Sequence, residues 1–203
     1  MVLNSNSIEK IVSLDQTSKT LLMSKERPIV LLPKIAESLA NIAPNLSHYG
    51  IMLPYTPLHY LLFHSLLGKP EEHGWLTEAN SCVLIVTSAN LKGEPIIIED
   101  IRAKELADVE LVTYNRAIIT RADDSIVRVL NDAPLFIRRA RGYVPTCIEL
   151  PHAIPSTLAL GGHLKNTFCV TRDKEAFVSQ YIGSINNKPT IDFLHESLNH
   201  FIK

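Results

Sequence analysis

Six of the nine arginines, Arg116, Arg121, Arg128, Arg138, Arg139 and Arg141, fall between positions 116 and 141, a stretch without lysine. Guanidinium groups bind phosphate oxygens bidentately and stay charged at any relevant pH, so such a cluster suits a nucleotide or carbamoyl/acyl phosphate site. Surface ion pairs with Asp123, Asp124, Asp132 and nearby glutamates are the competing use, and composition alone slightly favours them. Thr87-Ser88-Ala89-Asn90 follows the apolar run at 82–86 and puts two hydroxyls and an amide at the end of an expected strand, where open α/β sheets bind ligands. An ordinary turn explains the same four residues. Asp123-Asp124-Ser125 offers a Mg²⁺ or phosphate contact, or simply a turn. Gly161-Gly162-His163-Leu164-Lys165-Asn166-Thr167 reads as a glycine-assisted phosphate turn with a lysine in reach of an anion, against a plain hairpin. Metal and thiol chemistry find less support. His59/His64 and His195/His200 are spaced i, i+5, about 140° apart on a helix, and no metal ligand set emerges. The three cysteines lie far apart without a neighbouring base.

Elements must position these groups. Residues 8–23 carry loosely helical apolar spacing, and PIVLLP from Pro28 reads as a short buried strand. Residues 49–53 are a second strand; Pro57 then opens an apolar helix that Gly68 ends. Residues 82–86 are expected as a buried strand, and 101–106 as a short helix. Short apolar runs at 111–112, 118–119, 126–129 and 135–137 recur at hairpin spacing with Asn, Asp and Pro between them. Residues 142–156 hold Pro145, Pro151 and Pro155 and read as a linker, which places a domain boundary near residue 150. Beyond it, strands at 158–160 and 168–171 precede a helix from Thr190, its expected N-cap, to Phe201.

The balance of the chain bounds the function classes. Its 203 residues are 46% hydrophobic and 20% charged, which excludes disorder as the dominant state. Twenty basic against 21 acidic residues leave a net charge of −1, so any polyanion site is local. No apolar run approaches the roughly 20 residues of a membrane helix, and neither signal peptide nor disulfide framework is evident. A soluble, cytoplasmic chain with no membrane partner is expected.

RPIVLL (27–32), YGIMLPYTPLHYLL (49–62), LIVTSANLKGEPI (84–96), NRAIITRADDSIVR (115–128), FIRRARGYVP (136–145) and LALGGHLKNTFCVT (158–171) resemble, in this order, the hydrogenase-maturation carbamoyltransferases of the HypF family. The resemblance covers nearly the whole chain. It implies an α/β (α+β) fold: a YrdC-like twisted mixed sheet with helices over residues 1–148, followed from 149 to 203 by a linker and the first strands of an ASKHA-type carbamoyl-transfer domain. It also implies a two-step reaction. Carbamoyl phosphate and ATP, with Mg²⁺, give carbamoyl-adenylate, and the carbamoyl group then passes to the C-terminal cysteine thiol of a partner maturation protein in the synthesis of the cyanide ligand of [NiFe]-hydrogenase.

Carried over residue by residue, Ser88, Asn90 and Ser125 match nucleotide contacts, Arg128, Arg139 and Arg141 match basic positions near the triphosphate, and Lys165, Asn166 and Thr167 match the phosphate turn of the second domain. No catalytic residue is assigned. Tyr114 stands where the family more often has histidine. The family's zinc ligands and its K-x-R-x-x-x-K-P strand have no counterpart here, so the chain reads as an internal fragment with little adenylating activity alone. A double-stranded RNA-binding module and an inactive remnant are the alternatives, and the near-zero net charge weighs against the first.

Overall fold

The computed structural model describes all residues except 36–38, 40, 107–108, 114 and 203. It divides into two compact units, Met1–Val86 with Asp124–Arg138, and Thr87–Asp123 with Arg139–Lys203.

In the first unit, helix α1 (Gln16–Met23) leads into strand β1 (Ile29–Pro33), followed by β2 (His48–Ile51) and helix α2 (Pro57–Leu66). Asp15 caps α1, its carboxylate accepting from the Ser18 amide at 2.8 Å and the Ser18 hydroxyl at 2.6 Å. Thr56 caps α2 with Pro57 in its first turn, where the missing N–H removes no helical bond, and the chain leaves beyond Leu67 through Gly68 at φ +85°.

Strands β3 (Ile126–Leu130) and β4 (Ala133–Arg138) complete a mixed sheet in the order β2-β1-β3-β4. Strand β1 runs antiparallel to β2 and parallel to β3, with Val30 opposite Ile51 on one side and Val127 on the other. The β3–β4 hairpin turns on Asn131 and Asp132 at φ 51° and 60°, the left-handed pair that a two-residue turn between right-twisted strands requires. One side of the core joins Val2, Ile8, Val12, Leu22, Val30 and Leu32, and another packs Met1, Leu3 and Met52 around Phe63.

The second unit carries a short helix, α3 (Asp100–Ala103), and a three-stranded antiparallel sheet of β5 (Ile148–Ile154), β6 (Leu158–Leu160) and β7 (Phe168–Val178) in the order β5-β7-β6. Helix α4 (Lys188–Ile202) follows, with Phe193 and Ser197 buried one turn apart. Phe168, Ile182 and Phe193 form the core of this unit, and the Phe168 and Phe201 rings meet edge to face at 5.1 Å. A buried polar seam runs beside it: Gln180 Nε2 donates to the Ser197 hydroxyl at 3.0 Å, and the Ser179 hydroxyl accepts from the Phe168 amide at 3.0 Å.

The α/β class is as expected, with a mixed sheet followed by a second, antiparallel sheet. Several element expectations are corrected. Residues 82–86 form no strand: Val83 makes one bridge to Val2, and Ile85 is 78% exposed. Positions 111–112 and 118–119 form none either, with Val112 and Ile119 largely exposed. The stretch read as linker contains β5, an edge strand, which tolerates Pro151 because an edge leaves N–H positions unpaired. Among the described residues, no helix is long and apolar enough to cross a membrane.

Candidate functional site

The segment at 87–90 belongs to a closed loop built by its own polar side chains. Leu91 to Glu94 make a tight turn, the Glu94 amide donating to the Leu91 carbonyl at 3.0 Å, and Gly93 takes φ +80° at its third position, where a side chain would strain the backbone. The Asn90 carboxamide straddles this turn, with Nδ2 donating to the Leu91 and Glu94 carbonyls at 3.0 and 3.2 Å. Its Oδ1 accepts from the exposed Ser88 hydroxyl at 2.8 Å. The Ile97 amide donates to the Ala89 carbonyl at 2.8 Å and closes the loop. This leaves Ser88 at the surface with a fixed hydroxyl orientation, a group suited to a phosphate or a nucleobase edge.

Arginines of the same unit are put to different uses. Arg139 donates to the carbonyls of Tyr143 and Thr146 at 2.8 Å each and of Val178 at 3.3 Å, so it braces the 139–146 turn, and burial pulls its guanidinium below the usual arginine range. The Arg141 amide donates to the Asp123 carbonyl at 3.0 Å. Arg102 pairs with Glu94 at 3.0 Å and Glu105 at 3.5 Å; the hydrogen bond to Glu94, then that to Glu105, holds its guanidinium above the ordinary range. Arg121 Nε donates to the Ile96 carbonyl at 3.0 Å. In the first unit, Ser125 is fully buried ahead of β3, its carbonyl accepting from the Ile29 amide, whereas Arg128 is exposed on that strand. The unit placement is therefore Ser88, Asn90, Arg139 and Arg141 together in the second unit, and Ser125 and Arg128 in the first. Tyr114 lies outside the described residues.

The turn between β6 and β7 also belongs to the second unit. The Gly161 amide donates to the Thr167 carbonyl at 2.8 Å, and a methyl group on Gly161 would run into that oxygen. Lys165 is exposed at φ 50°. Asn166 is buried: Nδ2 donates to the Gly162 carbonyl at 2.8 Å, and Oδ1 has no partner among the described residues.

A cleft of about 1020 Å³ in the first unit is walled by Tyr55, Tyr60, His64 and Trp75, with Asn4 and Arg27 on its polar side. None of the sequence-predicted site residues lines it. Sequence reasoning also passed over Arg121 and Asn187 as residues touching the loop; the Asn187 Nδ2 donates to the Gly93 carbonyl at 2.8 Å. Neither contact has a local sequence signal, because Asn187 lies 94 positions from Gly93 and Arg121 lies 25 from Ile96.

The family model described as Sua5_yciO_yrdC, telomere recombination, matches residues 1–140, and that of the HypF Kae1-like domain matches residues 152–203. A YrdC-like α/β domain continued by a Kae1-like segment is thus the class of the chain. Carbamoyltransferase HypF2 of Cupriavidus necator is 49% identical over 190 residues, covering 89% of this chain and 23% of that protein. Carbamoyltransferase HypF of Rhizobium leguminosarum bv. viciae is 41% identical over 206 residues, covering 98% and 26%. A crystal structure of full-length HypF in the phosphate- and nucleotide-bound form superposes with a TM-score of 0.84 at 37% identity, covering 98% of this chain and 30% of that one. The crystal structure of T. kodakarensis HypF gives 0.83 at 35% identity, with 98% and 25% covered. The chain belongs to the Sua5/YciO/YrdC family by residues 1–140, and over nearly its whole length it is similar to one stretch of the HypF carbamoyltransferases. It spans about a quarter of the length of the curated relatives it matches.

Proposed function

We propose that residues 1–148 serve the adenylating step of a HypF-type carbamoyltransferase and residues 149–203 the entry to its carbamoyl-transfer domain. In the first step, water cleaves carbamoyl phosphate to carbamate and inorganic phosphate, and a carbamate oxygen then attacks the α-phosphorus of ATP, forming carbamoyl-adenylate as pyrophosphate leaves. Negative charge grows on the leaving oxygens, and cationic and hydroxyl donors held in advance lower the barrier. Ser88, Asn90 and Ser125 would contact the nucleotide. Arg128 and Arg141 would face the triphosphate, and Arg139 would contribute by bracing the 139–146 turn. Lys165, Asn166 and Thr167 would form the phosphate turn of the transfer domain, which passes the carbamoyl group to the cysteine thiol of a partner hydrogenase-maturation protein.

The observation that carries this reading is the loop at 88–90, with its carboxamide engaged by the backbone and its serine hydroxyl left at the surface. The superposable full-length HypF is a phosphate- and nucleotide-bound form, which supports the ligand class. Mg²⁺ enters with ATP as part of the substrate. Among the described residues, no three His, Cys, Asp or Glu side chains gather as a metal-ligand set. The test is calorimetric titration with MgATP, alongside carbamoyl-phosphate-dependent ATP–pyrophosphate exchange. MgATP binding that weakens at least tenfold in Ser88→Ala is the expected result. Salt-sensitive binding of double-stranded RNA with no ATP binding would replace the reading by an RNA-binding one.

A further inference from the structure

The loop at 88–90 is held from two sides. Asn90 and the hydrogen bond between Ala89 and Ile97 close it from within. From without, two side chains of the same compact unit reach its second half, and both are fixed to α4. Asn187, just ahead of the helix, uses both ends of its carboxamide: Oδ1 accepts from the Thr190 amide and hydroxyl at 2.9 Å each, capping α4, while Nδ2 donates to the Gly93 carbonyl at 2.8 Å. Arg121 donates through Nε to the Ile96 carbonyl at 3.0 Å, pairs through Nη1 with Glu196 of α4, and lies 5.5 Å from the Phe193 ring centroid. Its side chain is 16% exposed, so the fork is shielded from water and fixed in direction.

The two carbonyls at either end of residues 93–96 therefore both accept from groups anchored on α4. Between them lies Glu94, whose carbonyl accepts from Asn90, and Asn90 in turn accepts from Ser88. The chain of contacts α4, Gly93/Ile96, Glu94, Asn90, Ser88 is continuous, running through hydrogen bonds and, between residues 93 and 96, through the backbone itself. Helix α4 lies in the stretch that matches the Kae1-like domain, while the loop lies in the stretch that matches the YrdC-like family.

We propose that α4 is the positioning element of the loop at 88–90, with Asn187 and Arg121 as its positioning residues, so that nucleotide occupancy of the loop and the order of α4 are coupled. This rests on the reading of that loop as a nucleotide contact. Coupling of binding is reciprocal, so a ligand that tightens the loop tightens α4 by the same factor. The loop that would hold the adenylate then reports its occupancy to a helix of the domain that would take the carbamoyl group.

Three single variants separate this arrangement from a merely structural one. Asn187→Asp keeps the capping oxygen and removes the donor to Gly93. Arg121→Lys keeps the charge facing Glu196 and loses the fork to Ile96. Lys188→Gln breaks only the exposed Lys188–Asp192 pair of α4 and serves as the control. Amide hydrogen exchange without ligand reads the Glu94 and Ile97 N–H groups, and MgATP titration reads the coupling. Loss of one such bond is expected to speed exchange at both amides about fivefold and to weaken MgATP binding by a similar factor in the first two variants, with Lys188→Gln unchanged. MgATP is also expected to slow exchange across α4 in the unaltered protein and less so in Asn187→Asp.

Unchanged Glu94 and Ile97 exchange in both variants overturns the positioning role. Faster exchange with unaltered MgATP affinity overturns the coupling. If the unaltered protein binds no MgATP, the nucleotide reading and the coupling fall together, and the exchange measurements still decide whether α4 fixes the loop.

Discussion

The Ser88 hydroxyl donates to the Asn90 carboxamide oxygen across 2.8 Å, while the nitrogen of the same carboxamide donates to two carbonyls of the following turn. The two residues therefore play unequal parts: Asn90 shapes the loop, and Ser88 is shaped by it.

That inequality predicts different phenotypes. Asn90→Ala removes the Leu91, Glu94 and Ser88 contacts together and is expected to lower stability by about 1–2 kcal/mol. Ser88→Ala leaves the melting temperature within error, because the hydroxyl is exposed. Both are expected to weaken MgATP binding. Thermal melts and titrations on the same two variants check the split, and a destabilised Ser88→Ala would contradict it.

The β6–β7 turn gives a sharper steric prediction. Gly161→Ala drives a methyl group into the Thr167 carbonyl and is expected to cost about 1–3 kcal/mol, as overpacking does. Gly162→Ala meets nothing within 4 Å and is expected to be near neutral. Denaturant midpoints of the two neighbours decide it, and equal losses would show that the turn differs in solution.

Asp15 sets an acid limit for α1. Burial pushes its carboxyl up, but the hydrogen bonds from the Ser18 hydroxyl and amide outweigh this and hold it below the ordinary value of 3.8. Below its usual range in the folded state, it binds fewer protons there than in the unfolded chain, so its contribution is present above about pH 4 and is lost as pH falls through the folded-state value. Asp15→Ala is expected to cost about 1 kcal/mol at neutral pH and to flatten the acid limb of stability below about pH 4. Urea denaturation across that range measures both effects.

Phe63 anchors the second cluster of the first unit and is fully buried against Met1, Leu3 and Met52. Phe63→Ala is expected to cost about 3–5 kcal/mol, while Leu62→Ala on the exposed side of the same helix is expected to cost less than about 1 kcal/mol. A comparable loss at both positions would mean that the apolar outer face of α2 is covered in solution.

How much was legible depended on whether a signal was local. The α2 boundaries were, because Pro57 and Gly68 act within one turn of the helix they start or stop, and PIVLLP reads as a strand because its prolines and continuous β-branched and leucine run leave little else. The loop at 88–90 was visible as small polar residues after an apolar run. The arginine bias at 116–141 was visible too, but not that Arg139 would be engaged by main-chain carbonyls.

The sequence by itself determined local grammar: caps, breakers, the apolar runs that must be buried, and the order of motifs that carries the family resemblance. Pairing belonged to the tertiary structure. Residues 82–86 have the composition of a buried strand yet form one bridge, from Val83 to Val2, while Ile148–Ile154, with a proline inside, becomes an edge strand on β7. An apolar or proline-rich run says whether a segment prefers to be extended, whereas a ladder needs a partner that only the fold brings alongside. The cap of α4 shows the same limit at short range. Thr190 and Asn187 are both capping residues three positions apart, and Asn187 takes the role with its oxygen on Thr190 while its amide reaches Gly93, a partner 94 residues away that no window of sequence could name.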